Sequence, residues 1–123
     1  MKLMQTYSPF SIVSAPFPFT DSSKSKNRPV LTLSSEAHQM QTNHIAVLMI
    51  TSAKHSAWPS DFRIKHLETT GLSAESIVRQ KLFTIDLRLI KRKMGNLAPQ
   101  DKEAISAILL NHLEAINMKN FIS

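Results

Sequence analysis

The chain of 123 residues contains no cysteine. Disulfides, thiolate nucleophiles and Cys-ligated zinc are excluded together. The core must hold without staples, as expected in a reducing compartment. Glycine is almost absent as well: only Gly71 and Gly95 occur. Loops that cradle phosphates with several glycines are therefore ruled out. No apolar run approaches the length of about 18 residues that a membrane span needs. Met1-Lys2-Leu3-Met4 leads into no apolar stretch, so no signal peptide is expected and a cytoplasmic location is the default. Acidic residues are scarce, with 9 Asp and Glu against 15 Lys and Arg, a net charge of +6. A domain this basic suits an acidic partner, whether nucleic acid, an anionic membrane or an acidic protein segment. Hydrophobic content of 42% and charged content of 20% are ordinary globular values and argue against disorder throughout. A single domain over residues 1–123 is expected.

What is present reads as strands first and a helix last. Residues 10–13 form a short apolar strand. Pro16 and Pro18 cannot donate to a central ladder, so the chain there leaves the strand or follows an edge. Residues 21–27 are polar throughout and read as a hairpin loop. Residues 28–33 return as a second strand, with Arg28, Val30 and Thr32 on one face and Leu31 and Leu33 on the other. Ser34 or Ser35 caps a short helical turn from Glu36 to Met40. The continuous apolar run 45–50 is the expected central strand, covered on both faces. Thr51 and Ser52 end it and open a polar loop that holds the only tryptophan, Trp58. Residues 61–67 alternate as a half-exposed strand would. Thr70-Gly71 marks a turn, and residues 76–79 and 81–85 read as one bent strand or two short ones. Ile105, Ile108, Leu109, Leu113 and Ile116 then recur at three- and four-residue steps, a helical stripe. Pro99 suits the first turn and Asp101 and Glu103 suit its positive end, whereas Ala98 is a poor cap. The expected architecture is a mostly β half-barrel closed by one C-terminal amphipathic helix.

Charge placement offers the first functional reading. Six basic residues, Arg79, Lys81, Arg88, Lys91, Arg92 and Lys93, share an interval with one acid, Asp86. Lys24, Lys26 and Arg28 flank the first loop. Brought together by the sheet, the two groups make a groove for a phosphate chain; kept apart, they are solvated faces. The five histidines form no ligand pattern, and no metal or cofactor is expected. His112 falls on the helical stripe, where a hydrogen-bonded core histidine is the simplest account. With neither a cysteine nor a Gly-x-Ser-x-Gly nucleophile, an enzyme here must use Arg, Ser or Thr, His and isolated carboxylates. Cleavage of RNA fits that set. The ribose 2′-hydroxyl supplies the nucleophile, and the protein supplies cations, hydrogen-bond donors and proton transfer. Arg28 has the planar fork that matches phosphate oxygens.

Five segments resemble one family in order and approximate spacing. They are Phe17-Pro18-Phe19-Thr20-Asp21, Lys26-Asn27-Arg28-Pro29-Val30-Leu31, the strand Ala46 to Thr51, Ser76-Ile77-Val78-Arg79 with Phe83-Thr84-Ile85-Asp86, and Met94-Gly95-Asn96-Leu97. This pattern is similar to that of the MazF/PemK-like toxins of type II toxin–antitoxin systems. The resemblance implies a small SH3-like barrel of the MazF/CcdB type, mostly β with a C-terminal helix, and a homodimer. It implies metal-independent cleavage of single-stranded RNA that leaves a 2′,3′-cyclic phosphate, and an antitoxin partner with an acidic tail. By resemblance the catalytic residues are Arg28, which stabilises the phosphorane, and Thr51, which hydrogen-bonds the phosphate. Asp21, Lys24, Lys26, Asn27, Ser52, His55, Arg79 and Lys81 are the expected substrate contacts. Residues 79–82 lack the acid that some members carry, which leaves the general base open, with Asp21 the nearest acidic candidate in sequence. Two rivals of the same fold do not cut RNA. One is a gyrase poison, which would depend on a tryptophan near the C-terminus, and the other is a degenerate binder of RNA or antitoxin.

Overall fold

The computed structural model of the chain describes residues 4–16, 26–54 and 57–116. Strands β1 (Ser11–Pro16), β2 (Asn27–Thr32), β3 (His44–Ser52), β4 (Phe62–Arg63), β5 (Ser76–Asp86) and β6 (Arg92–Asn96) join in one sheet. Their order is β4-β5-β3-β2-β1-β6, and every pairing is antiparallel. The apolar run of β3 sits inside the sheet between β5 and β2, as its two-sided burial requires. Helix α1 (Glu36–Thr42) bridges β2 and β3. The Ser35 side chain accepts from the His38 N–H, and Asn43 closes the helix in the left-handed conformation, φ 58°.

Curling separates two apolar clusters. On one face lie Val13, Ala15, Val30, Val47, Met49 and Ile85, with Tyr7 packed over them. On the other lie Ile12, Leu31, Leu48, Ile50, Phe62 and Val78. Helix α2 (Pro99–His112) closes this second face through Ile105 and Leu109. Ala98 makes no side-chain cap, a loss of about 1 kcal/mol against a good cap. Two buried side chains at about 1.5–3 kcal/mol each outweigh it, so packing holds this helix. Asp101, expected only to favour the helix dipole, is buried and accepts the backbone N–H groups of Lys65 and His66.

That contact explains one departure from the sequence reading. Phe62 and Ile64 are buried and Arg63 and Lys65 exposed, as alternation predicts, but the ladder ends at Arg63. The next free N–H groups turn to Asp101 instead of a strand. Residues 76–86 form one strand, bent where the register with β3 slips: Met49 faces Arg79 and Leu48 faces Leu82. Gln80 and Lys81 are the extra residues of the bulge. Strand β6 had no sequence signal, because Arg92-Lys93-Met94-Gly95-Asn96 shows no apolar alternation. Its pairing with β1 creates it. His112 is exposed, its Nδ1 2.9 Å from Gln80 Oε1: hydrogen-bonded as expected, but outside the core. Among the described residues no helix is long and apolar enough to cross a membrane.

Both glycines serve one close approach. Gly71 has φ +76°, and a Cβ there would collide with the Met94 carbonyl; a Cβ on Gly95 would meet the backbone of Thr69 and Thr70. Asn96 N–H donates to the Thr69 carbonyl at 2.9 Å. The turn 69–71 is thus pressed flat onto β6, backbone to backbone.

Candidate active site

Arg28 stands at the start of β2 and Thr51 near the end of β3. Val30 pairs with Met49 and Thr32 with Val47. Continued by two residues, this register sets Arg28 opposite Thr51. Residues opposite each other in an antiparallel pair share a face, with Cβ atoms about 4.5–5.5 Å apart. By this extension the two side chains read as one pair from the sequence lie on one face of adjacent strands. Both line a cleft of about 390 Å³ at the ends of β2, β3 and β5, together with Ser52, Glu75, Ser76 and Arg92. The turn at Gly71 and residue Met94 complete its wall, so the approach of the two glycines shapes the site. Thr51 is only 6% exposed, while Arg28 is half-buried. A guanidinium and a hydroxyl at one cleft supply hydrogen-bond donors of the kind that can bind a phosphoryl group.

The other expected contacts divide. Ser52 lines the cleft. Lys26 and Asn27 are exposed beside Arg28. Asp21, Lys24 and His55 lie outside the described residues. Lys81 sits in the bulge of β5, half-buried and outside the cleft lining. Arg79 is placed differently again. Its Nη2 lies 2.8 Å from Asp61 Oδ2 and its Nε 3.1 Å from Oδ1; the side chains are 11% and 6% exposed. Burial pushes the Asp61 carboxyl up, but the Arg79 hydrogen bond, the Trp58 N–H and the Arg79 charge outweigh burial and leave it below 3.8. The Trp58 ring covers this guanidinium, 4.9 Å from its centroid. Arg88 is likewise engaged, forking onto Asp86 and holding that carboxyl at about 2 through side-chain and backbone hydrogen bonds.

Glu75 was missed, and Arg92 was read only as one member of the basic interval. Glu75 is the one carboxylate among the described residues that line the cleft, and it pairs with Arg63. Arg92 comes from β6, the strand without a sequence signal. Glu75 stands directly before β5 in a polar run, and nothing in that run distinguishes it from a solvated loop acid. Among the described residues, no three His, Asp or Glu side chains group as a metal site would require.

A curled antiparallel half-barrel with one closing helix and a basic cleft at its strand ends defines the architecture. The model of the PemK-like, MazF-like toxins of type II toxin–antitoxin systems matches residues 8–113, and the chain belongs to this family. Among curated protein sequences none matches it. Several solved structures share the fold. An endoribonuclease from a mycobacterial species, in complex with its cognate antitoxin, superposes with a TM-score of 0.70 at 14% identity, over 90% of this chain and 96% of that one. The Mycobacterium tuberculosis toxin MazF-mt6 gives 0.67 at 23% identity, over 85% and 96%. MazF from Deinococcus radiodurans gives 0.70 at 17% identity, over 89% and 98%.

Proposed function

We propose that residues 1–123 form a single toxin domain that cleaves single-stranded RNA at short sequences, without a metal ion, and thereby inhibits translation and growth. The observation that carries this reading is that Arg28 and Thr51, on adjacent strands, line one open cleft. In the reaction the ribose 2′-oxygen attacks the adjacent phosphorus. The P–O5′ bond breaks, leaving a 2′,3′-cyclic phosphate and a 5′-hydroxyl. The Arg28 guanidinium donates to the oxygens that gain charge in the phosphorane and gives a proton to the departing 5′-oxygen. The Thr51 hydroxyl donates to a second phosphoryl oxygen. Donors fixed before the reaction do not reorganise during it, and so favour the transition state. Glu75, the carboxylate at the same cleft, takes the proton of the 2′-hydroxyl. Arg92 adds positive charge along the RNA backbone.

The partner is a cognate antitoxin whose acidic, partly disordered tail competes with RNA for this basic surface. A related fold solved in complex with its antitoxin supports that assignment. The functional unit is a homodimer in the cytoplasm.

Incubating purified protein with a long mixed-sequence RNA in EDTA tests the reading. Cleavage to fragments ending in cyclic phosphate, abolished by Arg28→Ala, is the expected result. Intact RNA bound tightly to the wild-type protein would instead identify a non-catalytic binder of the same fold.

A further inference from the structure

Trp58 is the only tryptophan of the chain, and it is 41% exposed. An indole left this open forgoes much of its burial energy unless something else covers it. Its position is nonetheless closely determined. Arg79 lies against the ring. Asp61 grips Arg79 with both oxygens and also accepts the Trp58 N–H at 2.7 Å, while the Asp61 N–H returns to the Trp58 carbonyl at 3.0 Å. A buried ion pair of this kind contributes little net stability, because desolvation offsets attraction. Here it fastens the loop that follows Thr51 to β5 and holds the indole in place.

The platform shares a sheet face with the cleft pair. Thr51 pairs with Ile77 and Met49 with Arg79, so Arg28, Thr51, Ile77 and Arg79 lie on one side of the sheet. Arg79 is one step of two residues along β5 from the Arg28–Thr51 row and two strands across from Arg28. By strand dimensions that is roughly 12 Å, within reach of a nucleotide next to the scissile phosphate.

We infer that Trp58, backed by Arg79, is a stacking subsite for a nucleobase of the bound single-stranded RNA. The guanidinium occupies one side of the ring, and the base takes the exposed side. Stacking of this type accepts any base, so Trp58 sets affinity and register more than sequence choice. The inference rests on the proposed RNA substrate.

The lone indole is its own reporter. The wild-type protein is titrated with a short 2′-O-methyl oligonucleotide, which cannot be cleaved, and with the same backbone made abasic. Quenching of Trp58 emission by the first and not by the second is the expected result. Trp58→Ala should weaken oligonucleotide binding by about 5- to 150-fold, and Trp58→Phe should restore most of the affinity. Unchanged emission on saturable binding, or equal quenching by the abasic strand, overturns the subsite while the Arg28-dependent cleavage stands. Absence of both binding and cleavage removes the RNA reading and the subsite with it. If Trp58→Ala does not fold, the wild-type titration and Trp58→Phe decide the question.

Discussion

Arg28 and Arg79 are arginines on one face of one sheet, and composition treats them alike. The structure separates them. Arg28 lines an open cleft beside Thr51. Arg79 is buried in an ion pair with Asp61, beneath Trp58. One guanidinium lines the cleft, and the other organises a loop. A basic interval in a sequence therefore does not translate directly into a basic surface; acids brought in by the fold neutralise part of it.

Replacing Arg28 gives the largest test of this contrast. Arg28→Ala should lower the single-turnover cleavage rate by about 10²–10³-fold. Comparable cleavage by this variant would break the comparison. Arg79→Ala should act chiefly on stability. It leaves the Asp61 carboxylate buried without its partner, at about 3–5 kcal/mol, read as a lower midpoint in urea. Arg79→Met combined with Asp61→Leu should recover much of that stability, since an apolar pair of similar volume needs no desolvation.

Acid titration sharpens the same contrast. The folded Asp61 pKa lies below its ordinary value of 3.8. Its contribution to stability is therefore complete above 3.8 and is lost as pH falls through the lower folded value. Trp58 emission should stay native to below pH 3.8 and change only in stronger acid. In Asp61→Asn that acid transition should be missing.

Salt dependence gives the smallest effect. Arg92 lines the cleft, whereas Arg88 forks onto Asp86. Arg92→Ala should reduce the slope of log affinity against log salt for single-stranded RNA by about 0.7, the value for one lost phosphate contact. Arg88→Ala should leave the slope as it is.

The legible parts of the molecule were those with strong local chemistry. Two-sided apolarity located β3 inside the sheet, alternation put Arg28 and Val30 on one face, and Ser35 opened α1 where a serine cap was expected. The stripe of Ile105 and Leu109 identified the closing helix. The Arg28–Thr51 pair came from the family resemblance, and the fold brings both residues to one cleft. Three things were not legible. Strand β6 lacks a periodic pattern because it gains its structure from β1. The ladder at β4 stops because a helix carboxylate 36 positions later takes the Lys65 N–H. Glu75 lines the cleft beside the turn at Gly71, and its polar surroundings in the sequence do not mark it.

By itself, then, the sequence determined which segments are strands and which is the closing helix, because hydrophobic period and capping act over a few residues. It also determined the excess of positive charge and the absence of thiol chemistry. Only the tertiary structure decided which cations face a ligand. Arg79 finds its partner across the fold, in Asp61, 18 residues away, and local sequence carries no record of so distant a contact.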